Sequence, residues 1–137
     1  MCDRIISQGI DLVAVERIAR LHAQHGARFL DRIYSPAEQQ YCLEMRRPET
    51  RLAGRFAVKE AVLKVLGTGW RGGIEFRDIE TLPDPLGKPL VTLHNATAAF
   101  ARQVGIDHVL ASISHAGDYA VAVAIGIARE PHPPEGG

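Results

Sequence analysis

Four polar residues of this 137-residue chain stand where apolar or small side chains would be expected. Glu60 and Lys64 lie one helical turn apart in RLAGRFAVKEAVLKVLGTG, residues 51–69. There Leu52, Phe56 and Leu63 recur at helical spacing, and Ala53 and Ala57 continue a neighbouring line of the same face. Glu60 and Lys64 are the next two positions on that line. Asp11 shares one face of an extended segment with Ser7 and Gly9, and His115 ends another extended segment. Charges facing a core are costly unless they are paired or hold an ion or ligand. If the fold gathers these groups, two hard carboxylates with water and a substrate phosphate make a Mg²⁺ site. Lys64 then offers a point charge to phosphate oxygens. His115 does the same when protonated, or shuttles a proton. The set points to phosphoryl chemistry on a phosphorylated substrate. Plainer readings stay open: Asp11 as a helix cap, Glu60–Lys64 as an i,i+4 pair, His115 as a turn or core residue. Lys59, beside Glu60, reads as a surface residue. No zinc spacing, Ser-His-Asp elbow or catalytic-cysteine context is present.

The elements that must position these groups follow from periodicity and punctuation. Residues 4–13 alternate as a strand, with Ile5, Ser7, Gly9, Asp11 and Val13 on one face. Gly9 leaves room beside the carboxylate for another backbone or a ligand. Residues 14–25 form an amphipathic helix with Ala14, Ile18 and Leu21 inward, closed by Gly26. Residues 29–34 connect. Ser35-Pro36-Ala37-Glu38 is a capping box with proline in the first turn, and its helix runs to about Arg46. Pro48 breaks it, and Thr50 can cap the helix that carries Glu60. The following GTGWRGG cannot continue a helix, and it lets backbone N–H groups approach a ligand. Residues 74–82 and 88–94 read as a hairpin, 95–104 as a helix capped by Asn95, and 108–115 and 119–128 as strands. Residues 129–137 are Pro/Gly-rich and expected to be disordered. The order β-α-α-α-β-β-α-β-β argues an α+β domain over residues 1–128, with a mainly antiparallel sheet.

Composition narrows the partners. A hydrophobic content of 46% and a charged content of 23% fit a globular domain that buries about two-thirds of its surface. No apolar run is long enough to span a membrane, and no secretory signal is visible. With Cys2 and Cys42 as free thiols, the expectation is a cytoplasmic protein. Residues 1–70 hold 11 Lys+Arg against 8 Asp+Glu, a net +3, while residues 71–137 hold 5 against 8, a net −3. This asymmetry is too mild for a nucleic-acid binder. The cations Arg46, Arg47, Arg51, Arg55, Lys59 and Lys64 suit a local anionic ligand, an acidic protein partner or a solvated helix face.

The motifs together resemble a known family, the short bacterial holo-acyl-carrier-protein synthases among the 4′-phosphopantetheinyl transferases. The resemblance is carried by Gly9-Ile10-Asp11-Leu12 and by Phe56-Ala57-Val58-Lys59-Glu60-Ala61-Val62-Leu63-Lys64. Gly67-Thr68-Gly69, Gly87-Lys88-Pro89 and Ser112-Ile113-Ser114-His115 support it, in the family's order, over residues 5 to about 128. It implies transfer of the 4′-phosphopantetheine arm of coenzyme A to a serine of apo-acyl carrier protein, in support of fatty acid biosynthesis. The by-product would be adenosine 3′,5′-bisphosphate. By this resemblance Asp11 and Glu60 hold Mg²⁺ and Lys64 neutralises the transferred phosphoryl group. Arg55, His115, Gly67, Thr68 and Gly69 contact coenzyme A. The serine proton leaves through a carboxylate or a metal-bound water. The resemblance further implies a homotrimer with active sites between subunits, and docking of the acidic carrier on Arg17, Arg20 and Arg28. Pro85-Leu86 departs from the Asn or Asp usual before Gly87, which bears on the adenine side. Two other readings compete: a coenzyme A-binding module without turnover, and a Mg²⁺-dependent phosphohydrolase.

Overall fold

The computed structural model describes residues 2–68 and 73–129. The chain opens with β1 (Asp3–Ala14), followed by α1 (Val15–His25), α2 (Ala27–Ile33), α3 (Pro36–Leu43) and α4 (Pro48–Leu66). A 3-10 turn at Phe76–Asp78 leads into β2 (Ile79–Pro83) and β3 (Pro89–Leu93), then α5 (Asn95–Gln103), β4 (His108–Ala116) and β5 (Tyr119–Arg129). The strands form one sheet in the order β1-β5-β4-β3-β2, with every neighbouring pair antiparallel.

The α+β expectation holds, with local corrections. Residues 29–34 are not a plain connection: α2 is helical there and buries Phe29, Leu30 and Ile33 at three- and four-residue spacing. Helix α4 starts at Pro48 rather than beyond Thr50, because proline's fixed φ suits the first turn. The Ser35–Glu38 capping box forms as read, but α3 stops at Leu43. Residues 76–78 coil before β2 begins. Asn95 does not cap α5; it sits at φ 53° and donates to Asp78 Oδ1 at 3.0 Å. Arg129 belongs to β5. The expectation of disorder beyond it concerns residues 130–137, which lie outside the described residues.

Helix α4 organises the molecule. It lies across the sheet against β1, β5, β4 and β2, and α1 and α3 pack against its other sides. The strands beneath it carry small residues, which bring the backbones close: Ala120, Ala122 and Ala124 are buried on β5. At Gly9 even a Cβ would overlap the Ala61 carbonyl oxygen of α4. At Gly126 a Cβ would lie 2.7 Å from Val65 Cγ1. Because the helix is covered nearly all round, its sequence has no clean polar stripe.

This explains the largest correction. Lys59 is not a surface residue but is fully buried, ion-paired to Glu38 at 2.6 Å. Burial pulls its pKa down, and the Glu38 carboxylate opposes that. Glu60 is only half-buried and Lys64 is exposed, so these two sit at the rim of the helix rather than in the core.

Candidate active site

The site is built where β1 crosses α4. Strand alternation turns Gly9, Asp11 and Val13 towards the helices, while Ile10 and Leu12 face out. The bare Gly9 lets α4 settle onto β1, and Ser7 Oγ donates to the Val65 carbonyl oxygen at 2.6 Å to fix the register. Lys64 then reaches across: its Nζ donates to the Ile10 carbonyl oxygen at 2.7 Å and lies 3.3 Å from Asp11 Oδ1. This ion pair is a rim pair, the Lys64 side chain being 54% exposed and that of Asp11 19%.

Glu60 completes the constellation one turn before Lys64. Its carboxyl is pushed up from the ordinary value, first by burial and then by the Asp11 carboxylate. Arg17 and Lys64 offset part of that rise. Two negative groups are therefore close enough to repel, which is the electrostatic signature of a place that would welcome a cation. Arg17, on α1, lays its guanidinium 5.4 Å from the centre of the Phe56 ring, one turn before Glu60. Sequence reasoning placed Arg17 only with the docking cations; the field at Glu60 shows that it also borders the site.

The donor set suits a particular class of ion. Among the described residues no group of three or more His, Cys, Asp or Glu could hold a metal. Two hard carboxylates and no soft ligand fit Mg²⁺ completed by water and substrate oxygens, not zinc. Nor is there a candidate thiol nucleophile in the core: burial, more than any neighbouring charge, pushes the Cys42 thiol up to about 11.

His115 does not join this group. It ends β4 against the other end of α4, its Nε2 3.2 Å from the Thr50 carbonyl oxygen and packed over Gly54. From Gly54 to Glu60 the helix rises about 9 Å. His115 instead lines a cavity of about 430 Å³ with Met45, Arg46, Arg47, Thr50 and Arg51. The structure thus divides these residues between two places along α4, the carboxylate pair with Lys64 at the β1 crossing and a cationic cleft near the start of the helix, where the sequence suggested one cluster. Arg55 points elsewhere again: it is buried, donates to the Thr81 carbonyl oxygen at 3.4 Å and stacks over Tyr41 at 4.7 Å.

At its C-terminal end α4 is closed by Gly67 with φ 73°, a conformation that favours glycine. Thr68 Oγ1 is buried and has no hydrogen-bond partner among the described residues. Gly69 lies outside the described residues. Arg17, Arg20 and Arg28 are all exposed. Arg28 lines a cavity of about 300 Å³ with His25, Phe29 and Arg32. Phe29 and Arg32 escaped the sequence reading because α2 itself did, and His25 ends α1 with no spacing to single it out.

Known proteins match this architecture. A family model described as the 4′-phosphopantetheinyl transferase superfamily matches residues 7–124. A holo-[acyl-carrier-protein] synthase of Koribacter versatilis is 44% identical over 121 residues, which is 88% of this chain and 97% of the relative. The crystal structure of holo-[acyl-carrier-protein] synthase from Neisseria meningitidis superposes with a TM-score of 0.83 at 36% identity, covering 90% of this chain and 98% of that one. The Helicobacter pylori synthase, solved in complex with coenzyme A, gives a TM-score of 0.76 at 33% identity, covering 88% and 99%. With this fold, these motifs and a match over most of its length, the chain belongs to the 4′-phosphopantetheinyl transferase superfamily.

Proposed function

We infer that this protein is a holo-[acyl-carrier-protein] synthase: residues 1–128 transfer 4′-phosphopantetheine from coenzyme A to a serine of apo-acyl carrier protein. The observation that carries this is the convergence of Asp11, Glu60 and Lys64 at the β1–α4 crossing. In the reaction the serine Oγ forms a bond to the β-phosphorus of coenzyme A, the one that bears the pantetheine arm. The P–O bond to the adenosine half breaks, and adenosine 3′,5′-bisphosphate leaves with the electron pair.

Asp11 and Glu60 would hold Mg²⁺, which when bound neutralises the pyrophosphate oxygens as charge develops on them. Lys64, already aimed at Asp11, donates to an oxygen of the transferred group. The serine proton leaves to a carboxylate at the site or to water. Coenzyme A carries a further phosphate on its ribose, and the cleft of Arg46, Arg47, Arg51 and His115 has the charge to receive it. The Thr68 hydroxyl, which has no hydrogen-bond partner among the described residues, supports Gly67, Thr68 and Gly69 as another coenzyme contact. Arg55, buried between Tyr41 and the Thr81 carbonyl oxygen, ties α4 to α3 and β2.

The carrier docks on α1 and α2. Arg17, Arg20 and Arg28 meet its acidic surface, and the Arg28–Phe29–Arg32 cavity gives that surface an apolar seat. The outer sheet face supports a homotrimer. Ile10, Leu12, Leu90, Leu110 and Val123 are all exposed on its strands, a patch that a lone soluble domain would seldom leave open. The free thiols Cys2 and Cys42 suit the cytoplasm, where coenzyme A and carrier proteins meet.

The test is incubation of the purified protein with coenzyme A, Mg²⁺ and apo-carrier protein, followed by mass spectrometry of the carrier. A phosphopantetheine adduct on serine is expected, and Glu60→Ala should abolish it with the fold intact. Coenzyme A binding without an adduct would make the chain a binding module. Release of the same bisphosphate with water as acceptor would make it a hydrolase.

A further inference from the structure

Lys59 and Glu38 form a buried polar hub that the transfer chemistry does not use. The Lys59 ammonium has three protons and three acceptors: Glu38 Oε1 at 2.6 Å, the Phe76 carbonyl oxygen at 3.0 Å and the Ile79 carbonyl oxygen at 2.5 Å. Glu38 Oε1 also accepts from the Ser35 N–H at 3.0 Å, and Oε2 accepts from the Thr81 N–H at 3.0 Å. Both side chains are fully buried. One pair of charges therefore ties α3, α4, the 3-10 turn and β2 together with directional bonds.

Stability alone is a poor reason for such a pair. Desolvation offsets most of the Coulombic gain, and well-packed apolar residues of the same volume often do as well. Position offers a better reason. On its sheet side α4 rests on glycine and alanine, and two hydrogen bonds near its C-terminal end tie it to β1, from Ser7 Oγ to the Val65 carbonyl oxygen and from Lys64 Nζ to that of Ile10. On the Lys59 side it is held by bonds of fixed direction. Neighbouring helix positions project about 100° apart. Fixing the direction of Lys59 therefore fixes that of Glu60.

We propose that the Lys59–Glu38 hub is a positioning device, locking the roll of α4 so that the Glu60 carboxylate faces Asp11 at the metal site. The proposal rests on the transferase reading of that site. Lys59 and Glu38 touch no substrate; they act through Glu60.

The experiment titrates the full-length protein with Mn²⁺ in the presence of coenzyme A, following the electron paramagnetic resonance signal of free Mn²⁺. It is run at a temperature where every variant is folded by circular dichroism. Glu60→Ala defines binding at the site. The combined variant Lys59→Met, Glu38→Leu removes both charges while keeping volume, and should bind Mn²⁺ about tenfold more weakly, the scale of outer-shell changes at metal sites. Glu38→Gln, which keeps the shape of the hub but loses its charge and the acceptor for Thr81, gives the reading if the combined variant does not fold, and should bind measurably more weakly than wild type. Leu30→Val, a core change in α2, should lower the melting temperature yet bind as wild type does. Folded hub variants with wild-type Mn²⁺ affinity overturn the proposal, as does an equal loss in Leu30→Val. Absence of Glu60-dependent Mn²⁺ binding in the wild type overturns the site reading itself, and the positioning role with it.

Discussion

At the scale of single residues, Glu60 holds its charge against its surroundings. Burial and the nearby Asp11 raise its carboxyl above the ordinary 4.5. Between that value and the raised folded value, the folded state binds more protons than the unfolded state. Stability contributed by this residue therefore falls as pH rises through that window and stays lower above it. Glu60→Gln should consequently melt higher than wild type at neutral pH and lose the advantage at acid pH, while losing transfer activity. Melting curves from pH 4 to pH 8 check this, and equal melting temperatures at neutral pH would refute it. Adding Mg²⁺ to the coenzyme A-loaded protein should raise the wild-type melting temperature further and give no such increment in Glu60→Gln, because only a ligand that binds the folded state shifts the equilibrium. The polar misfit of Glu60 on an apolar helix was legible in the sequence. The deeper misfit of Lys59 was not, because its partner Glu38 lies 21 positions away. A buried lysine looks like a surface one until that partner is placed.

At the scale of elements, the site depends on how closely β1 and α4 approach. Gly9 is the residue that permits it, since an added Cβ would overlap backbone rather than a flexible side chain. Gly9→Ala should therefore destabilise the fold by about 1–3 kcal/mol, the usual cost of overpacking. It should also lower transfer more than the loss of folded protein accounts for, because Asp11 moves with β1 and Glu60 with α4. Denaturant unfolding alongside rate measurements on the folded fraction separates the two effects. A Gly9→Ala protein with wild-type stability and rate would show that the approach has slack. Alternation along β1 and the glycine stop of α4 could be read directly, since both are local patterns. Helix α2 could not, because seven residues between Gly26 and Tyr34 give too short a periodic run to separate from a connection.

At the scale of the whole molecule, the sheet is covered by α4 on one face and bears exposed apolar side chains on the other. Val123 sits on β5 opposite Ile10 on one side and Ser112 on the other, 36% exposed. In a homotrimer assembled through this face, Val123→Asp would desolvate a charge at the interface. It should convert the protein to a monomer, with a change in strand preference of only about 1 kcal/mol to the subunit itself. Light scattering after size exclusion measures this directly: wild type at three times the mass of one chain, the variant at one. A wild-type monomer would remove the trimer, and with it the reading that a site is completed by a neighbour.

The sequence by itself determined the family, the element types apart from α2 and the turn at residues 76–78, and Asp11, Glu60 and Lys64 as residues that meet at the β1–α4 crossing. Those are carried by short motifs, by periodicity and by residues too polar for their positions, all readable within a few turns of chain. Only the tertiary structure decided which cation was truly buried, that His115 joins Arg46, Arg47 and Arg51 at the far end of α4, and that Arg17 stands over Phe56 beside Glu60. Each of these joins residues distant in the chain. Burial and electrostatic coupling depend on distance in space, and the packing of α4 between the sheet, α1 and α3 is what sets those distances.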